Sequence, residues 1–476
     1  MSDALELLGQ ALETYETRYP QPGWAEQDAA RWEAALPRAI AAALEAAGEP
    51  RDAVRAVGLT GQLDGCLAVD RDGNAITPCL IWMDRRAEAE IAGLSATQVR
   101  DVSGVTLDPS HMAAKIRWLR RHHPAARRAA CYHQAVSYMV SRLTGEHVFD
   151  HGLASTTMLY SLETRGYDDD LLDIFEVEAA QLPAITDAGS SAGPLSAAGA
   201  ELCGLPAGIP VAVGTGDDFA GPLGAGIVAP GTAVASLGTA EVVGALHGAP
   251  VIDKTGLVET HAYPGRSFYI ENPGWLSGGA LVWFTETFGL DGVGAIDRLA
   301  AEVLPGCEGV SFLPALSGAM TPEWNPAARG CFYGLTPSHG LGHLARALHE
   351  ANAFAMADVL DRLRGLEVSI EAVRLIGGGA QSQVQAEIRA AVAGATIELP
   401  VHQHTTPIGA AMLGALAGGL VPDLASAAQC VGGVAAVVEP NPAVVAPLAE
   451  ARARGRTLYE TLRPLFAADG NDPARS

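Results

Sequence analysis

Two adjacent carboxylates in the middle of the chain could take a proton from a reacting hydroxyl group. Asp217 and Asp218 follow the glycine turn 214–216, which comes after a short apolar run that predicts a buried strand. A carboxylate at the carboxyl end of such a strand is well placed to act as a general base. The structural alternative for either residue is an N-cap for the helix predicted from Phe219. The pair allows one aspartate to cap the helix and the other to catalyse.

Three glycine-rich turns could hold a ligand that carries phosphate. They occupy residues 214–216, 237–239 and 377–379, and each follows a predicted strand. Glycine lets backbone N–H groups approach an anion closely, and helix N-termini add positive potential. An ordinary tight turn explains any one of them, because the chain has 54 glycines. Together the three turns favour a nucleotide held by hairpins and strand ends.

Two widespread nucleotide-binding motifs are excluded by single residues. The chain contains only two lysines, Lys115 and Lys254, and neither follows a glycine, so it has no P-loop. The turn that begins at Gly214 would need another glycine in the place of Phe219 to match the dinucleotide-binding pattern. An oxidoreductase of the dinucleotide-binding type is therefore not expected.

The composition indicates a globular protein of two or three domains. Of 476 residues, 49% are hydrophobic and 18% are charged, and 31 basic residues against 54 acidic ones give a net charge of −23. A chain this negative does not suit nucleic acid or an anionic membrane surface. Seven cysteines without C-x-x-C spacing favour reduced thiols and a cytoplasmic location. The uncharged stretch 219–240 contains five glycines and two prolines, so it predicts strands and turns, and the run 408–421 predicts a closely packed buried helix.

The apolar periodicity predicts alternating helices and strands along the chain. In the first half, Asp28 can cap a helix over residues 28–47, and residues 54–59 are typical of a strand. In the second half, the pattern predicts a hairpin over 232–246 and a helix over 343–363. Such alternation is typical of an α/β fold with a mixed or parallel sheet.

Stretches throughout the chain resemble the FGGY family of carbohydrate kinases, and its xylulokinase branch most closely. The stretches that carry the resemblance stand in family order: PQPGWAEQD from Pro20, GLTGQLDG from Gly58, WMDRRA from Trp82, KIRWL from Lys115, RLTGE from Arg142, GTGDDFAGPLGAG from Gly214, SLGTAEVV from Ser236, LSGAMTPEWNPAARGCFYGLT from Leu316 and IGGGAQS from Ile376. The resemblance implies an α/β fold of two actin-like/ribonuclease-H-like domains around a cleft. It assigns residues 1–225 to an N-terminal sugar-binding domain and residues 226–476 to a C-terminal ATP-binding domain.

The resemblance also implies roles for the residues that match the family motifs. Asp217 corresponds to the general base, and it shares the substrate wall with Gln62, Leu63, Asp64 and Trp82. The implied ATP-binding positions lie in the second half of the chain: Ser236, Gly238, Thr239, Gly278, Gly378, Gly379 and Ser382. The implied reaction is the phosphorylation of a primary hydroxyl on a small sugar by ATP with Mg²⁺, and a ketopentose such as xylulose is the expected substrate. No metal ligand is assigned, and a homodimer is one alternative for the assembly.

Two departures from the family pattern bear on the substrate. Xylulokinases usually have Met-His where this chain has Leu63-Asp64, and the related glycerol kinases carry an acidic residue there. An ionised carboxylate accepts hydrogen bonds from neighbouring hydroxyls, so Asp64 suits either a polyol or a ketose. The second departure is at residues 317–322, where the family's SGERTP is SGAMTP.

The start of the chain departs most from the family pattern. FGGY kinases open with a strand and an Asp-x-Gly-Thr turn that binds phosphate, whereas this chain opens with ALELLGQAL from Ala4, which resembles the segment after that turn. From the sequence we expect the first strand and first phosphate-binding turn to be missing, with weak or no kinase activity and reduced stability. A sugar-binding pseudokinase or a truncated inactive relative is the alternative to an active enzyme.

A few further residues could bind substrate but have a structural alternative. Arg85 and Arg86 could meet a substrate phosphate, and a solvated helix start or an ion pair with Glu88 and Glu90 is an equal alternative. Trp324 is expected in the core.

Overall fold

Helices and strands alternate along the polypeptide, as the apolar periodicity predicts. The structure is a computed structural model that describes residues 1–402 and 404–469, so the end of the expected C-terminal domain lies outside the described residues. Among the helices described, none is both long enough and apolar enough to cross a lipid bilayer.

The α-helices are α1 Ala29–Ala47, α2 Glu88–Ile91, α3 Ala96–Ser103, α4 Met112–His122, α5 Ala135–Thr144, α6 His151–Ser155, α7 Asp169–Phe175, α8 Ala197–Cys203, α9 Asp217–Gly224, α10 Gly278–Phe288, α11 Gly294–Ala301, α12 Leu341–Gly365, α13 Gln383–Ala393, α14 Thr405–Ala417, α15 Leu424–Val431 and α16 Pro442–Asp469. The strands are β1 Glu26–Gln27, β2 Thr60–Gly61, β3 Leu67–Val69, β4 Cys79–Leu80, β5 Cys131–His133, β6 Val148–Asp150, β7 Tyr160–Ser161, β8 Gly166–Tyr167, β9 Ala184–Thr186, β10 Ser191–Pro194, β11 Pro210–Ala212, β12 Thr215–Gly216, β13 Gly231–Leu237, β14 Ala240–His247, β15 Glu259–Ala262, β16 Phe268–Leu276, β17 Ser311–Leu313, β18 Cys331–Tyr333, β19 Ile370–Ile376, β20 Thr396–Pro400 and β21 Val434–Val438.

The second half of the chain is built around one seven-stranded mixed sheet. Its strand order is β15-β16-β14-β13-β19-β20-β21. The pairs β13/β19 and β19/β20 are parallel, and the other pairs are antiparallel. Helix α13 makes the crossover that a parallel pair such as β19/β20 requires. Buried apolar side chains of the sheet, α12 and α13 form one core cluster, so this part of the chain has a core of its own.

The first half has shorter strand pairs, of which β2/β12 and β6/β9 are parallel and β3/β5 is antiparallel. The strand predicted over residues 54–59 is wrong in extent, because only Val57 forms a bridge, with Val211, and β2 begins at Thr60. Val57 N donates to Pro210 O, and Ala212 N donates to Val57 O. The next hydrogen bond of a parallel ladder would come from the N–H of residue 210, which a proline does not have.

Helix α1 forms where the sequence predicts it. The side chain of Asp28 accepts a hydrogen bond from Ala30 N and so caps the first turn. Trp32 is buried on the inner face and lies edge-on to Tyr138, with 6.2 Å between ring centroids. The helix ends at Gly48, which has a left-handed backbone (φ 68°) that glycine adopts without strain.

Helices α9 and α14 cross with their backbones in contact, and this crossing joins the two halves of the chain. A Cβ atom added to Gly224 would lie 1.8 Å from Thr405 O, and one added to Gly409 would lie 2.0 Å from Ala220 O. Only glycine therefore fits at either position. Helix α14 is largely buried, as predicted for the apolar run 408–421, although it ends earlier, at Ala417.

The edge strand β15 docks the large sheet onto the first half of the chain. Thr260 N donates to Gly104 O at 3.0 Å, and Ala262 N donates to Ser155 Oγ at 3.0 Å. These bonds pair backbone donors that an edge strand would otherwise leave open. Docking of β15 also carries its polar side chains towards the expected sugar-binding segment of the first half.

Candidate active site

The parallel pair β2/β12 brings two predicted site segments to one edge. Residues Gln62–Asp64 follow β2, and Asp217 begins α9 directly after β12. A Cβ atom added to Gly216 would lie 2.1 Å from Leu63 Cδ2, so the two segments touch. Gln62 Nε2 donates to Gln27 Oε1 at 2.8 Å, which anchors the start of the segment. The expected substrate wall and the expected base are therefore neighbours.

The backbone of Asp64 is held in a rare conformation by two buried side chains. Its φ angle is 58°, which is uncommon for a residue other than glycine. Lys115 Nζ donates to Asp64 O at 2.6 Å and to Ile81 O at 2.8 Å, and Asp64 N donates to Gln134 Oε1 at 3.0 Å. These contacts fix the direction of the Asp64 side chain. Sequence reasoning did not find Lys115 as a site residue, although a lysine on the buried face of α4 is a signal in itself.

Asp64 and His111 form a charged pair. His111 Nδ1 lies 3.1 Å from Asp64 Oδ1. Burial alone would lower the pKa of His111, but the attraction to Asp64 and the hydrogen bond between them outweigh it and raise the pKa to about 9. Against the effect of burial, His111 and Lys115 lower the pKa of Asp64. The Asp64 carboxylate is therefore ionised at neutral pH, and its side chain keeps 19% of its surface exposed for a ligand.

Asp217 and Asp218 lie in the first turn of α9, where the helix dipole favours negative charge. The helix begins two residues earlier than predicted, its N-cap is Gly216, and neither aspartate caps it, so the capping hypothesis is wrong. Burial raises the pKa of Asp217, and the charge of Asp64 raises it further. Hydrogen bonds from the backbone lower it, but the net shift is upwards. Burial, Asp217 and Asp64 raise the pKa of Asp218. Burial and mutual repulsion therefore oppose the ionisation of both carboxyl groups at once.

A second line of buried polar groups reaches the site from the docked sheet. His261 Nε2 lies 3.8 Å from Glu259 Oε2 and 3.5 Å from Glu271 Oε1, and His111 Nε2 lies 3.9 Å from Glu259 Oε1. Burial and the charge of Asp218 raise the pKa of Glu271 well above its usual range. Burial lowers the pKa of His261 to about 4. Sequence reasoning missed this line, for which the alternation Glu259-x-His261 on one strand was the available signal.

The sheet register gathers the glycine-rich turns of the second half at one edge. β13 and β19 end side by side, with Ser236 opposite Ile376, and β16 ends opposite the start of β14, with Leu276 opposite Ala240. The segments that continue from these residues therefore meet. At this edge or directly beyond it lie all the predicted nucleotide positions: Ser236, Gly238, Thr239, Gly278, Gly378, Gly379 and Ser382.

The turns at this edge pack backbone against backbone and leave an open surface. A Cβ atom added to Gly278 would lie 2.2 Å from Gly238 O, and Gly279 N donates to Thr239 O at 2.9 Å. A Cβ atom added to Gly378 would meet no atom of the described residues within 4 Å, its chain neighbours apart. The Gly378 surface is thus free for a ligand. Ser382 instead caps α13, since its Oγ accepts a hydrogen bond from Gln385 N at 3.2 Å.

Helix α9 connects the carboxylate edge with the glycine edge. A Cβ atom added to Gly221 would lie 3.2 Å from Ile376 Cδ1, at the end of β19. One turn before Gly221, the helix begins at Asp217. The base and the turn after Ile376 are therefore on elements in direct contact.

The structure places Trp82 on the surface. The residue is 50% exposed. The carbonyl oxygen of the preceding residue, Ile81, accepts a hydrogen bond from Lys115 Nζ. Trp324 is 52% exposed, so its expected core position is wrong. It lies in an irregular loop closed by the bridge between Ala319 and Asn325, outside the regular elements that build the core.

The two arginines after Trp82 have structural partners. Arg86 is buried, lies 2.7 Å from Asp84 and 3.2 Å from Glu26, and stacks its guanidinium over the Trp24 ring. Arg85 pairs with Asp108. The expected pairing with Glu88 and Glu90 is wrong, because the chain turns at Asp84 and directs both guanidinium groups to carboxylates outside α2.

The fold and the site define a class, a two-domain mixed α/β phosphotransferase of the actin-like ATPase type with an alcohol group as acceptor. The sequence profile of the N-terminal domain of the FGGY family of carbohydrate kinases matches residues 1–224, and that of the C-terminal domain matches residues 233–418. The chain belongs to the FGGY family of carbohydrate kinases and is an ATP-dependent member of it.

Relatives of the chain include two kinds of kinase. A glycerol kinase of Geobacter sp. (strain M21) is 35% identical over 437 residues, 86% of each chain. A xylulose kinase of Escherichia coli (strain K12) is 32% identical over 406 residues, 84% of this chain and 83% of the relative. The crystal structure of a xylulose kinase from Brucella ovis is 30% identical and superposes with a TM-score of 0.88 over 94% of this chain and 93% of that one. These similarities establish the family and the two-domain fold, and they leave the branch unresolved.

Proposed function

We propose that this kinase phosphorylates a primary hydroxyl group of a small uncharged sugar, with a ketopentose such as xylulose as its first substrate. The observation that carries the proposal is the position of Asp217. It begins α9 beside the partly exposed carboxylate of Asp64, and the same helix contacts the end of β19. A sugar hydroxyl bound by Asp64 would then lie between a base and the phosphoryl donor.

The residues of the site would take different parts in the reaction. Asp217 takes the proton as the hydroxyl oxygen bonds to the γ-phosphorus and ADP leaves, and a raised pKa suits a base that works near neutral pH. The backbone N–H groups around Gly238, Gly278 and Gly378 hold the nucleotide. Mg²⁺ bound with the nucleotide would neutralise phosphate charge, and the carboxyl oxygens of Asp218, next to the base, suit its preference for hard ligands. Residues 1–225 would bind the sugar and residues 226–476 the nucleotide.

The charge of the site favours an uncharged substrate. The site has two cationic side chains, Lys115 and His111. Its carboxyl groups outnumber them, since there are five: Asp64, Asp217, Asp218, Glu259 and Glu271. A sugar acid or a sugar phosphate would meet the ionised carboxylate of Asp64, and repulsion of like charges opposes its binding. Hydroxyl groups donate hydrogen bonds to such carboxylates instead.

Glycerol is the second candidate substrate. An acidic residue stands at position 64, as the resemblance implies for glycerol kinases, and a glycerol kinase is among the relatives at 35% identity. Both candidates are uncharged and carry a primary hydroxyl next to a second oxygen. They differ in length, but both would use the same contacts at Asp64.

Sugar-dependent ADP release by the full chain tests the proposal. We expect the highest kcat/KM with D-xylulose, a lower value with glycerol and no turnover with D-gluconate. Asp64→Asn, which keeps the side-chain shape and removes the charge, should weaken the preference for uncharged substrates. Comparable turnover of D-gluconate and D-xylulose by the unmodified enzyme would contradict the proposed substrate class.

A further inference from the structure

A cysteine and two histidines meet in the first half of the chain, on the strands that lead to the sugar site. Cys131 and His133 stand two residues apart on β5, so their side chains project from the same face. His147 comes directly before β6. Cys131 Sγ and one nitrogen of each ring all lie within 4.8 Å of one another, with Cys131 and His133 buried and His147 partly exposed.

The hydrogen bonds around His133 assign its tautomer. Ser137 Oγ donates to Gln134 O at 3.1 Å, so it is an acceptor towards His133 Nδ1 at 3.0 Å. The proton of the ring is then on Nδ1, and the lone pair of Nε2 accepts a hydrogen bond from His147 Nδ1, 2.7 Å away. A histidine that binds a metal commonly donates its second N–H in this way, which fixes the ring. The ring of His133 is therefore held by Ser137, with its unprotonated nitrogen facing His147.

We propose that Cys131, His133 and His147 bind one divalent transition-metal ion of the zinc type, with water as the fourth ligand on the open side of His147. One thiolate and two imidazoles are the donors that Zn²⁺ takes in tetrahedral sites. Zinc–nitrogen bonds of about 2.0–2.1 Å separate two tetrahedral nitrogens by roughly 3.3 Å. The two nitrogens would thus move apart by about half an ångström, and both rings would tilt so that their lone pairs meet at the ion. Binding releases the thiol proton of Cys131 to solvent.

The site would act on the sugar pocket through one residue. Gln134 follows His133 directly, and its Oε1 accepts the hydrogen bond from Asp64 N. An ion that ties β5 to the chain before β6 would restrict the movement of Gln134. The metal-bound enzyme should therefore hold Asp64 more firmly than the metal-free enzyme does.

Titration of the chelator-treated full chain with Co²⁺ tests the proposal. We expect one equivalent to give tetrahedral visible bands and a thiolate-to-cobalt band, and Zn²⁺ to displace it. His147→Ala removes a partly exposed ligand and should weaken binding by on the order of 100-fold or more, since even outer-shell changes cost 10–100-fold. Cys131→Ser should remove the thiolate band.

The matched control is His343→Ala, because Glu308, His339 and His343 form a second, more exposed group that could hold an ion. This variant should keep the thiolate band. A hydrogen bond between two structural histidines is the competing explanation for the cluster. It would be supported, and the proposal overturned, by the absence of a thiolate band at one equivalent of Co²⁺, or by a thiolate band that survives with unchanged affinity in His147→Ala.

Discussion

The charged pair between His111 and Asp64 should make the stability of the protein depend on pH in a particular direction. The His111 side chain is 6% exposed and faces Asp64, Glu259 and Asp108, whose attraction raises its pKa from 6.5 to about 9 despite burial. A raised folded-state pKa stabilises the protein fully below pH 6.5, and the stabilisation is lost as the pH rises through about 9. A shift of this size corresponds to about 3 kcal/mol in the free energy of unfolding.

Replacement of His111 by glutamine isolates this contribution. The variant keeps a hydrogen-bonding side chain and removes the titrating charge. The measured quantity is the difference in unfolding free energy between the original chain and His111→Gln. We expect this difference to be about 3 kcal/mol larger at pH 6 than at pH 10. Any cost of changed packing is present at both pH values and cancels when the two are compared.

Urea unfolding of the two proteins at several pH values between 6 and 10 is the assay. His247→Gln is a suitable control, because His247 is partly exposed and its ring contacts only the backbone of Ala249 among the contacts described. Its difference from the original chain should stay nearly constant with pH. A pH-independent difference for His111→Gln would refute the assignment of a charged pair to Asp64.

Three further predictions concern the substrate wall, the nucleotide edge and the core. Asp64→Ala should raise the KM for every accepted sugar, by a factor that corresponds to about 1–3 kcal/mol, and an unchanged KM would place Asp64 outside the pocket. Gly378→Ala adds a methyl group that meets no atom of the described residues within 4 Å, its chain neighbours apart, so it should raise the KM for ATP without lowering Tm, whereas Gly278→Ala, 2.2 Å from a carbonyl, should lower both activity and Tm. Arg389→Met should destabilise the protein by about 3–5 kcal/mol, because it leaves Glu241 charged and buried after loss of bonds at 2.5 and 2.8 Å. Glu241→Gln in the same chain should restore much of that loss in thermal unfolding.

The sequence predicts well those features that depend on neighbours along the chain. Helix α1 follows from Asp28 and an apolar residue every fourth position, and the hairpin of β13 and β14 follows from alternation around a glycine turn. The turns after β13 and β19 were predicted because each glycine set directly follows its strand, whereas residues 215–216 of the predicted turn 214–216 form the short strand β12. These are local patterns. Pairing of the strands then places the turns at common edges of the sheets.

The residues that sequence reasoning missed depend on contacts between distant segments. His111 and Lys115 lie on α4 or at its start and act on Asp64, about fifty positions earlier in the chain. Glu259 and His261 reach the site only because β15 docks onto the first half. A local pattern also gave a wrong prediction at Asp217 and Asp218, one of which was expected to be the N-cap of α9. Gly216 has an extended backbone and is itself the N-cap, so the helix begins at Asp217.

Sugar binding and phosphoryl transfer measured side by side for Asp217→Asn test the central claim most directly. The amide keeps the shape of the side chain and cannot accept the proton. We predict that sugar-dependent ADP release falls by about 10²–10⁴-fold while the sugar still binds with an affinity close to that of the original chain. Asp218→Asn, one residue further along α9, should lose less activity. Near-normal turnover by Asp217→Asn, with a large loss in Asp218→Asn, would contradict the account and assign the base to Asp218.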